Sequence, residues 1–202
     1  MGRRREHDLD EVLDHARTLW AREGRGALTI RALSAASGMS NGAIYHAFGS
    51  RDGLLALTWA REARRFVERQ RAGVARALDE GGGPVEALVV AATAPAAHAR
   101  HDEEGARLLL SVRPRDLTTD ALTPAQQQEL AQLRHDLDRL VRQLAALLWQ
   151  RQDRAALVTV RCCLVELPSA LLLRPRRVTD PLARLVLERA VRGVVTGPPP
   201  FP

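Results

Sequence analysis

The sequence predicts an all-α protein, and three observations support that fold class. Apolar residues make up 46% of the 202 residues, which is enough to bury a sizeable core and argues against a wholly disordered chain. Ala, Leu and Arg dominate, and unbranched side chains lose little rotamer freedom in a helix. Apolar positions also recur at steps of three and four residues from Leu9 onward, which is the spacing of one helical face.

Four helices are expected before the first linker. The first has an apolar stripe over residues 9–20. Two short helices follow within residues 29–48, and Ser50 is expected to cap a fourth helix that runs to about Leu78. Residues 79–84 contain three consecutive glycines and predict a linker.

Five more helices are expected beyond this linker. Thr123 and Gln126 have the spacing of a capping box, in which each residue's side chain bonds the other's backbone, and they should open the third of the five. Pro168 should kink or locally break the fourth. Residues 114–122 are expected to form a loop, and residues 198–202 a disordered tail. The helices are expected over residues 85–98, 103–112, 124 to at least 148, 154–173 and 181–195.

Residues 29–48 meet the geometric demands of a helix-turn-helix. Such a motif needs a small residue where its helices touch, a glycine in the turn, and apolar anchors that fix the second helix. Ala36, Gly38, and Met39 with Ile44 meet these demands in turn. The pattern alone is also compatible with a plain helical hairpin. The outer face of the second helix should be small and polar, as are Ser40, Asn41, Gly42, Ala43, Tyr45 and His46.

The charge pattern favours a polyanionic partner for the same stretch. The formal net charge is +6, and no carboxylate occurs between Glu23 and Asp52, where Arg25, Arg31 and Arg51 all lie. Carboxylates close to phosphates would be repelled, so their absence suits a surface that docks on DNA. All 30 basic residues are Arg, which suits phosphate and guanine edges, but codon usage in a GC-rich genome explains it equally well.

Other function classes find little support. The sequence has no glycine-rich phosphate loop after a strand, no nucleophile elbow and no metal-spaced cluster, so we expect neither an enzyme nor a cofactor. The most apolar stretch, residues 87–97, is too short to span a bilayer, and no signal peptide is evident. The adjacent Cys162 and Cys163 give no disulfide framework. We therefore expect a cytoplasmic protein.

The segment from Thr29 to Phe48 resembles the signature of the TetR (tetracycline-repressor-like) family, and the flanks at residues 19–24 and 49–55 match as well. The resemblance implies an N-terminal three-helix DNA-binding domain (1–50, motif 29–48) and a C-terminal helical ligand-binding and dimerisation domain (51–197). It implies a sequence-specific regulator: a homodimeric repressor that a small-molecule effector of unknown identity releases from a palindromic operator in double-stranded DNA. A ligand-independent or activating regulator, and a helical protein-binding scaffold, remain alternatives.

Site residues follow from the resemblance. Thr29 and Ser40 would cap helices and contact phosphate, Tyr45 would bond phosphate, His46 would meet phosphate or a base edge, and Arg51 would contact the DNA backbone. The arm Arg3–Arg5 would either reach an adjacent groove or stay solvated. Asn41 replaces a common basic residue, Ala43 a common Thr and Ala47 a common aromatic, so the family's base preference does not transfer. The expected DNA-binding residues are Thr29, Arg31, Ser40, Asn41, Gly42, Ala43, Tyr45, His46 and Arg51.

The C-terminal part offers weaker candidates. His98, His101, Arg107 and Trp149 are polar groups that could line an effector pocket, although each also suits an ordinary surface or core position. His98 and His101 could share a metal but lack a third ligand, and Cys162 with Cys163 suits buried packing better than redox sensing. Candidate dimer-interface residues, which could equally pack within one subunit, are Leu157, Val158, Leu164, Leu171, Leu182, Leu185, Val186 and Val194.

Overall fold

The computed structural model describes residues 2–173 and 177–197, with side chains from Leu9 onward. Every regular element in these ranges is helical, which confirms the all-α prediction. Within the same ranges no helix is both long enough and apolar enough to cross a bilayer. The predicted tail at 198–202 lies outside the described residues, as do the side chains of Arg3–Arg5.

The helices follow the predicted order along the chain. Their bounds are α1 (Gly2–Glu23), α2 (Ile30–Ser37), α3 (Asn41–Phe48), α4 (Arg51–Asp79), α5 (Gly83–His101), α6 (Glu103–Leu110), α7 (Pro124–Trp149), α8 (Arg154–Arg161), α9 (Leu167–Leu171) and α10 (Pro181–Val194).

Side-chain caps fix several of these bounds. The Ser50 hydroxyl accepts a hydrogen bond from the Gly53 backbone N–H at 3.0 Å at the start of α4. The capping box of α7 is complete, because the Gln126 N–H donates to Thr123 Oγ1 at 3.3 Å and the Thr123 N–H donates to Gln126 Oε1 at 3.0 Å. These bonds satisfy first-turn N–H groups that have no partner inside the helix.

Two segments show more detail than the sequence predicts. The predicted loop at 114–122 contains a turn of 3-10 helix, Pro114–Leu117, because Leu117 is buried and anchors it to the core. Around Pro168 the α-helix is locally interrupted, as the sequence predicts. A π-helical turn, Cys162–Glu166, joins α8 to α9, and the Leu167 N–H donates to the Cys162 carbonyl five residues back. Proline has no N–H and its ring crowds the carbonyl four residues earlier, so a widened turn before it relieves that crowding.

The described chain forms two compact units, and the first contains the helix-turn-helix. It comprises the residues up to Arg64 together with Glu103–Leu133. Here α1 packs against α2 and α6, and α2 packs against α3. The indole N–H of Trp20 donates to the Ser111 hydroxyl at 2.8 Å and so fastens the end of α6 to α1. The core of this unit includes Trp20, Leu28, Leu33, Ile44, Phe48, Leu54, Leu108, Leu117, Leu122 and Leu130.

The second unit comprises Arg65–Asp102 and the residues from Arg134 onward. Its centre is α5, whose buried face is built largely from alanines and allows α10 to approach closely. Within this unit Arg71 on α4 pairs with Asp136 on α7 at 2.9 Å. The core of this unit includes Leu88, Ala91, Ala92, Leu140, Leu144, Val160, Cys163, Leu172, Leu187 and Val191.

Candidate nucleic-acid interface

The α2–turn–α3 segment has the predicted helix-turn-helix geometry. Thr29 Oγ1 accepts a hydrogen bond from the Ala32 N–H at 3.1 Å, and Ser40 Oγ accepts one from the Ala43 N–H at 3.2 Å, so both predicted caps are confirmed. Gly38 ends α2 with φ of 70°, a left-handed conformation that a residue with a Cβ adopts only with strain. The turn therefore depends on glycine at this position.

Helix α3 is anchored from one side and open on the other. Ile44 and Phe48 are buried in the core of the first unit. Tyr45 is 53% exposed, an unusual position for the only tyrosine of the chain. The predicted outer residues are all exposed: Ser40, Asn41, Gly42, Ala43, Tyr45 and His46.

One scaffold prediction is not borne out. Ala36, expected where the two helices touch, is exposed. The buried side chains on α2 are instead Ile30 and Leu33, and Leu33 shares the core with Ile44 of α3. The contact therefore uses larger apolar side chains than the pattern suggested.

The exposed side of the motif offers hydrogen-bond donors and no carboxylate. A serine or threonine hydroxyl that accepts a capping bond still has its own proton to donate, so Thr29 and Ser40 can cap and bind phosphate together. The first-turn N–H groups of α3 add positive partial charge at its N-terminus. Arg31 is exposed on α2. This arrangement can bind phosphates and present Asn41 to Ala43 to base edges.

Arg51 has a structural partner that the sequence did not reveal. Its Nε donates to the Leu28 carbonyl and its Nη2 to the Arg25 carbonyl, both at 2.8 Å. The side chain thereby holds the turn between α1 and α2. Its expected contact with the DNA backbone stays a prediction. The guanidinium has further N–H groups that are able to donate to a phosphate.

The corner between α3 and α4 is held by the segment that precedes α7. The Thr119 hydroxyl donates to Asp52 Oδ2 at 3.1 Å, and the Ser50 hydroxyl donates to the Ala121 carbonyl at 3.5 Å. Both contacts lie within the first unit. Sequence reasoning missed them because the partners are about 70 residues apart and neither pair forms a local motif.

The effector candidates on α5 differ in their surroundings. His98 is buried, its Nδ1 lies 3.1 Å from Arg69 Nη1, and its ring meets Phe66 edge-on with centroids 5.5 Å apart. Because an arginine N–H only donates, Nδ1 accepts and the histidine carries its proton on Nε2. His101 is exposed at the end of the same helix.

The other two effector candidates have local partners. Trp149 is half-buried and its indole N–H donates to the Gly197 carbonyl at 3.2 Å in the second unit. Arg107 lies on α6 in the first unit, exposed and paired with Glu103 at 2.7 Å. The structure thus places His98, His101 and Trp149 in one unit and Arg107 in the other. Their effector role stays a prediction.

The adjacent cysteines Cys162 and Cys163 are both neutral thiols. Burial raises the pKa of Cys163 to about 12, and burial together with the nearby Glu166 carboxylate raises the pKa of Cys162. Thiolate is the reactive form, so neither residue is activated for redox chemistry. In the described part of the chain, no three His, Cys, Asp or Glu side chains are grouped so as to hold a metal ion.

The candidate dimer residues fall into two groups. On α10, Leu182 is 66% exposed, and Leu185, Val186 and Val194 are also exposed, as is Val158 on α8. Leu164 is already buried in the core of its own unit, while Leu157 and Leu171 are half-buried. Among the candidate dimer residues, the exposed apolar side chains are therefore those of α10 and Val158.

Comparison with known proteins agrees with the resemblance drawn from the sequence. Residues 12–57 match the family model described as bacterial regulatory proteins, tetR family. None of the curated proteins matches the chain at the sequence level.

Solved structures of similar fold include three bacterial regulators. A TetR-like transcriptional regulator from Rhodococcus sp. RHA1 has a TM-score of 0.61 and 23% identity, over 94% of this chain and 97% of that chain. The TetR-family regulator PfmR from Thermus thermophilus has a TM-score of 0.61 and 21% identity, over 94% and 96%. The regulator FadR from Bacillus subtilis, in complex with stearoyl-CoA, has a TM-score of 0.58 and 14% identity, over 93% and 96%. The predicted TetR-like resemblance and fold are confirmed.

Proposed function

We propose that this chain, a DNA-binding helix-turn-helix protein with the fold of TetR-family transcriptional regulators, is a homodimeric repressor that a small molecule releases from a palindromic operator. One observation carries the DNA-reading part. Helix α3 is fixed by the buried Ile44 and Phe48, while its first turn and Tyr45 are exposed beside a surface without carboxylates.

In this proposal base reading and phosphate binding fall to different residues. Asn41 pairs with the N6 and N7 edge of an adenine, and the Ala43 methyl touches a thymine methyl. Hydroxyl and cationic groups fix the register on the phosphates without reading sequence. These phosphate-binding residues are Thr29, Arg31, Ser40, Tyr45 and Arg51, and His46 meets either a phosphate or a base edge.

The dimer is proposed from the outer face of α10. Leu182, Leu185 and Val186 lie close together on that face, and all three are exposed. Apolar residues grouped on one face of a helix favour packing against a partner helix. A twofold dimer would place two recognition helices roughly 34–36 Å apart, one turn of DNA, which matches a palindromic operator.

The effector part rests on a solved neighbour. FadR of Bacillus subtilis has a similar fold and was solved with stearoyl-CoA. By that likeness we propose that residues 51–197 bind a small molecule and that residues 1–50 read DNA, with the two ligands biasing one equilibrium in opposite directions. The protein would act in the cytoplasm, on the nucleoid.

Selection of bound sequences from a random DNA pool tests this function. We expect a palindrome to be enriched and to bind at least about 10³-fold tighter than random duplex at physiological salt. Equal binding of selected and random duplexes would refute a sequence-specific regulator. A panel of acyl-CoA esters is then titrated against the complex with the selected operator, and a reporter with the gene deleted separates repression from activation.

A further inference from the structure

We propose that Gln126 is a positioning residue for DNA reading: its side-chain amide holds the C-terminal end of α3 in the orientation that base contacts require. This inference rests on the proposed DNA-binding function. It adds a residue more than 70 positions beyond the helix-turn-helix to the set that determines specificity.

The Gln126 side chain uses both ends of its amide. Oε1 accepts from the Thr123 N–H at 3.0 Å and so completes the cap of α7. Nε2 donates to the backbone carbonyl of Phe48, the last residue of α3, also at 3.0 Å. Gln126 is buried, with only 6% of its surface exposed. A buried amide with both ends bonded has one well-defined position. It can therefore fix the position of the Phe48 carbonyl, and with it the end of α3.

The surrounding sequence is shaped to admit this contact. A Cβ placed on Gly53 would lie 2.5 Å from Gln126 Nε2 and 2.2 Å from the Phe48 carbonyl oxygen. Any side chain at position 53 would therefore displace the amide or the end of α3. The Phe48 carbonyl is one of the final carbonyls of α3 and has no partner within that helix. It accepts from the Ser50 N–H in the following turn at 2.8 Å, and the Gln126 amide is its second donor.

The orientation of α3 matters more for bases than for phosphates. The helix has eight residues, so it is about 12 Å long. A rotation of about 10° at its Phe48 end would move Asn41 by about 2 Å, which is more than a hydrogen bond to a base tolerates. Attraction to phosphates falls off gradually with distance and tolerates such a shift. Loss of the Gln126 contact should therefore lower specificity more than affinity for DNA in general.

The variant Gln126→Glu separates this contact from the helix cap. A carboxylate still accepts from the Thr123 N–H but has no proton to donate to the Phe48 carbonyl. The matched control, Thr123→Ala, removes the capping hydroxyl and leaves the amide in place. We measure dissociation constants for selected and random duplexes with the full-length protein, after thermal unfolding shows that each variant is folded.

We expect Gln126→Glu to lower the ratio of the two dissociation constants at least tenfold and Thr123→Ala to leave it within twofold. Acidification should restore the ratio for Gln126→Glu relative to wild type, because a protonated carboxyl donates again. A ratio unchanged in Gln126→Glu would overturn the proposal.

Hydrogen exchange of the free protein gives a readout that needs no DNA. We expect the α3 amides to exchange faster in Gln126→Glu, and unchanged exchange would overturn the proposed role by itself. If the wild-type protein bound selected and random duplexes equally, the proposed function would fail. Hydrogen exchange would still show whether the Gln126 contact holds α3. Should Gln126→Glu not fold, Gln126→Met, which keeps the length of the side chain but has no N–H to donate to the Phe48 carbonyl, is expected to show the same losses.

Discussion

The guanidinium of Arg51, at the start of α4, donates a 2.8 Å hydrogen bond from Nε to the backbone carbonyl of Leu28. A second bond, from Nη2, reaches the Arg25 carbonyl. The two carbonyls lie in the turn that leads into Thr29. Arg51, which follows the helix-turn-helix, thus holds the turn that precedes it.

We predict that Arg51→Lys lowers the free energy of unfolding by about 1–2 kcal/mol, because one ammonium cannot reproduce two directed bonds from a planar fork. Urea denaturation measures the change. Arg31→Lys, at an exposed position on α2, is the control and should change stability by less than about 0.5 kcal/mol. Equal effects of the two substitutions would mean that the carbonyl contacts contribute nothing specific.

We predict that Tyr45→Phe and Asn41→Ala affect DNA binding differently. Loss of the exposed tyrosine hydroxyl should weaken binding to all duplexes alike, by up to about tenfold, since it removes one phosphate bond. Asn41→Ala should instead change which bases are selected at one position of each half-site. Sequence selection with each variant is the measurement. A uniform loss for Asn41→Ala would show that this residue does not read bases.

We predict that Leu182→Arg on the outer face of α10 converts the proposed dimer to monomers at micromolar concentration, because it would place a charge in the proposed apolar interface. Analytical ultracentrifugation measures the mass, and operator affinity should fall with it. Leu110→Arg, at an exposed leucine of α6, is the control and should stay dimeric. A dimer that survives Leu182→Arg would place the interface elsewhere.

We predict a loss of stability between pH 9 and 12. Burial raises the pKa of Cys163 to about 12 from its ordinary value of 9.0, so the unfolded chain releases this proton at lower pH than the folded one. The stabilisation is complete below pH 9 and is lost as pH rises, at up to about 1.4 kcal/mol per pH unit for each thiol. The chain has no lysine and one tyrosine, so few other groups titrate there.

Urea denaturation at pH 8 and pH 10.5 checks this slope. Cys163→Ala is expected to reduce it, leaving only the part that comes from Cys162. An unchanged slope in Cys163→Ala would assign the alkaline sensitivity to other groups. Alkylation at neutral pH gives a second readout, since a neutral buried thiol reacts only after unfolding.

Features that depend on neighbouring residues could be predicted from the sequence. The caps at Thr29, Ser40, Ser50 and Thr123 were all predicted and are present, because a cap needs only a suitable side chain two or three residues before the amide it accepts from. The irregular helix around Pro168 followed from proline chemistry in the same way. Its form, a π-helical turn, depends on packing and was not predictable.

Features that depend on distant partners could not be predicted. Gln126 was recognised as half of a capping box, yet its second bond, to Phe48, joins residues 78 positions apart. The carbonyl partners of Arg51 were hidden because any residue has a carbonyl. The prediction that Ala36 lies between the two helices was wrong, because helical spacing alone does not determine which residues of a short helix are buried against its neighbour.

The Trp20–Ser111 bond has a consequence for how this protein can be recombined with others. Trp20 is fully buried, and its unit also takes Leu108, Leu117, Leu122 and Leu130 from the segment Glu103–Leu133. A graft that moved only the first 64 residues onto a foreign scaffold would leave that apolar surface open to water and the indole without its acceptor. To move the DNA-binding unit, one has to transfer both the residues up to Arg64 and the segment Glu103–Leu133. The unit is compact in space, but it cannot be separated by one cut in the chain.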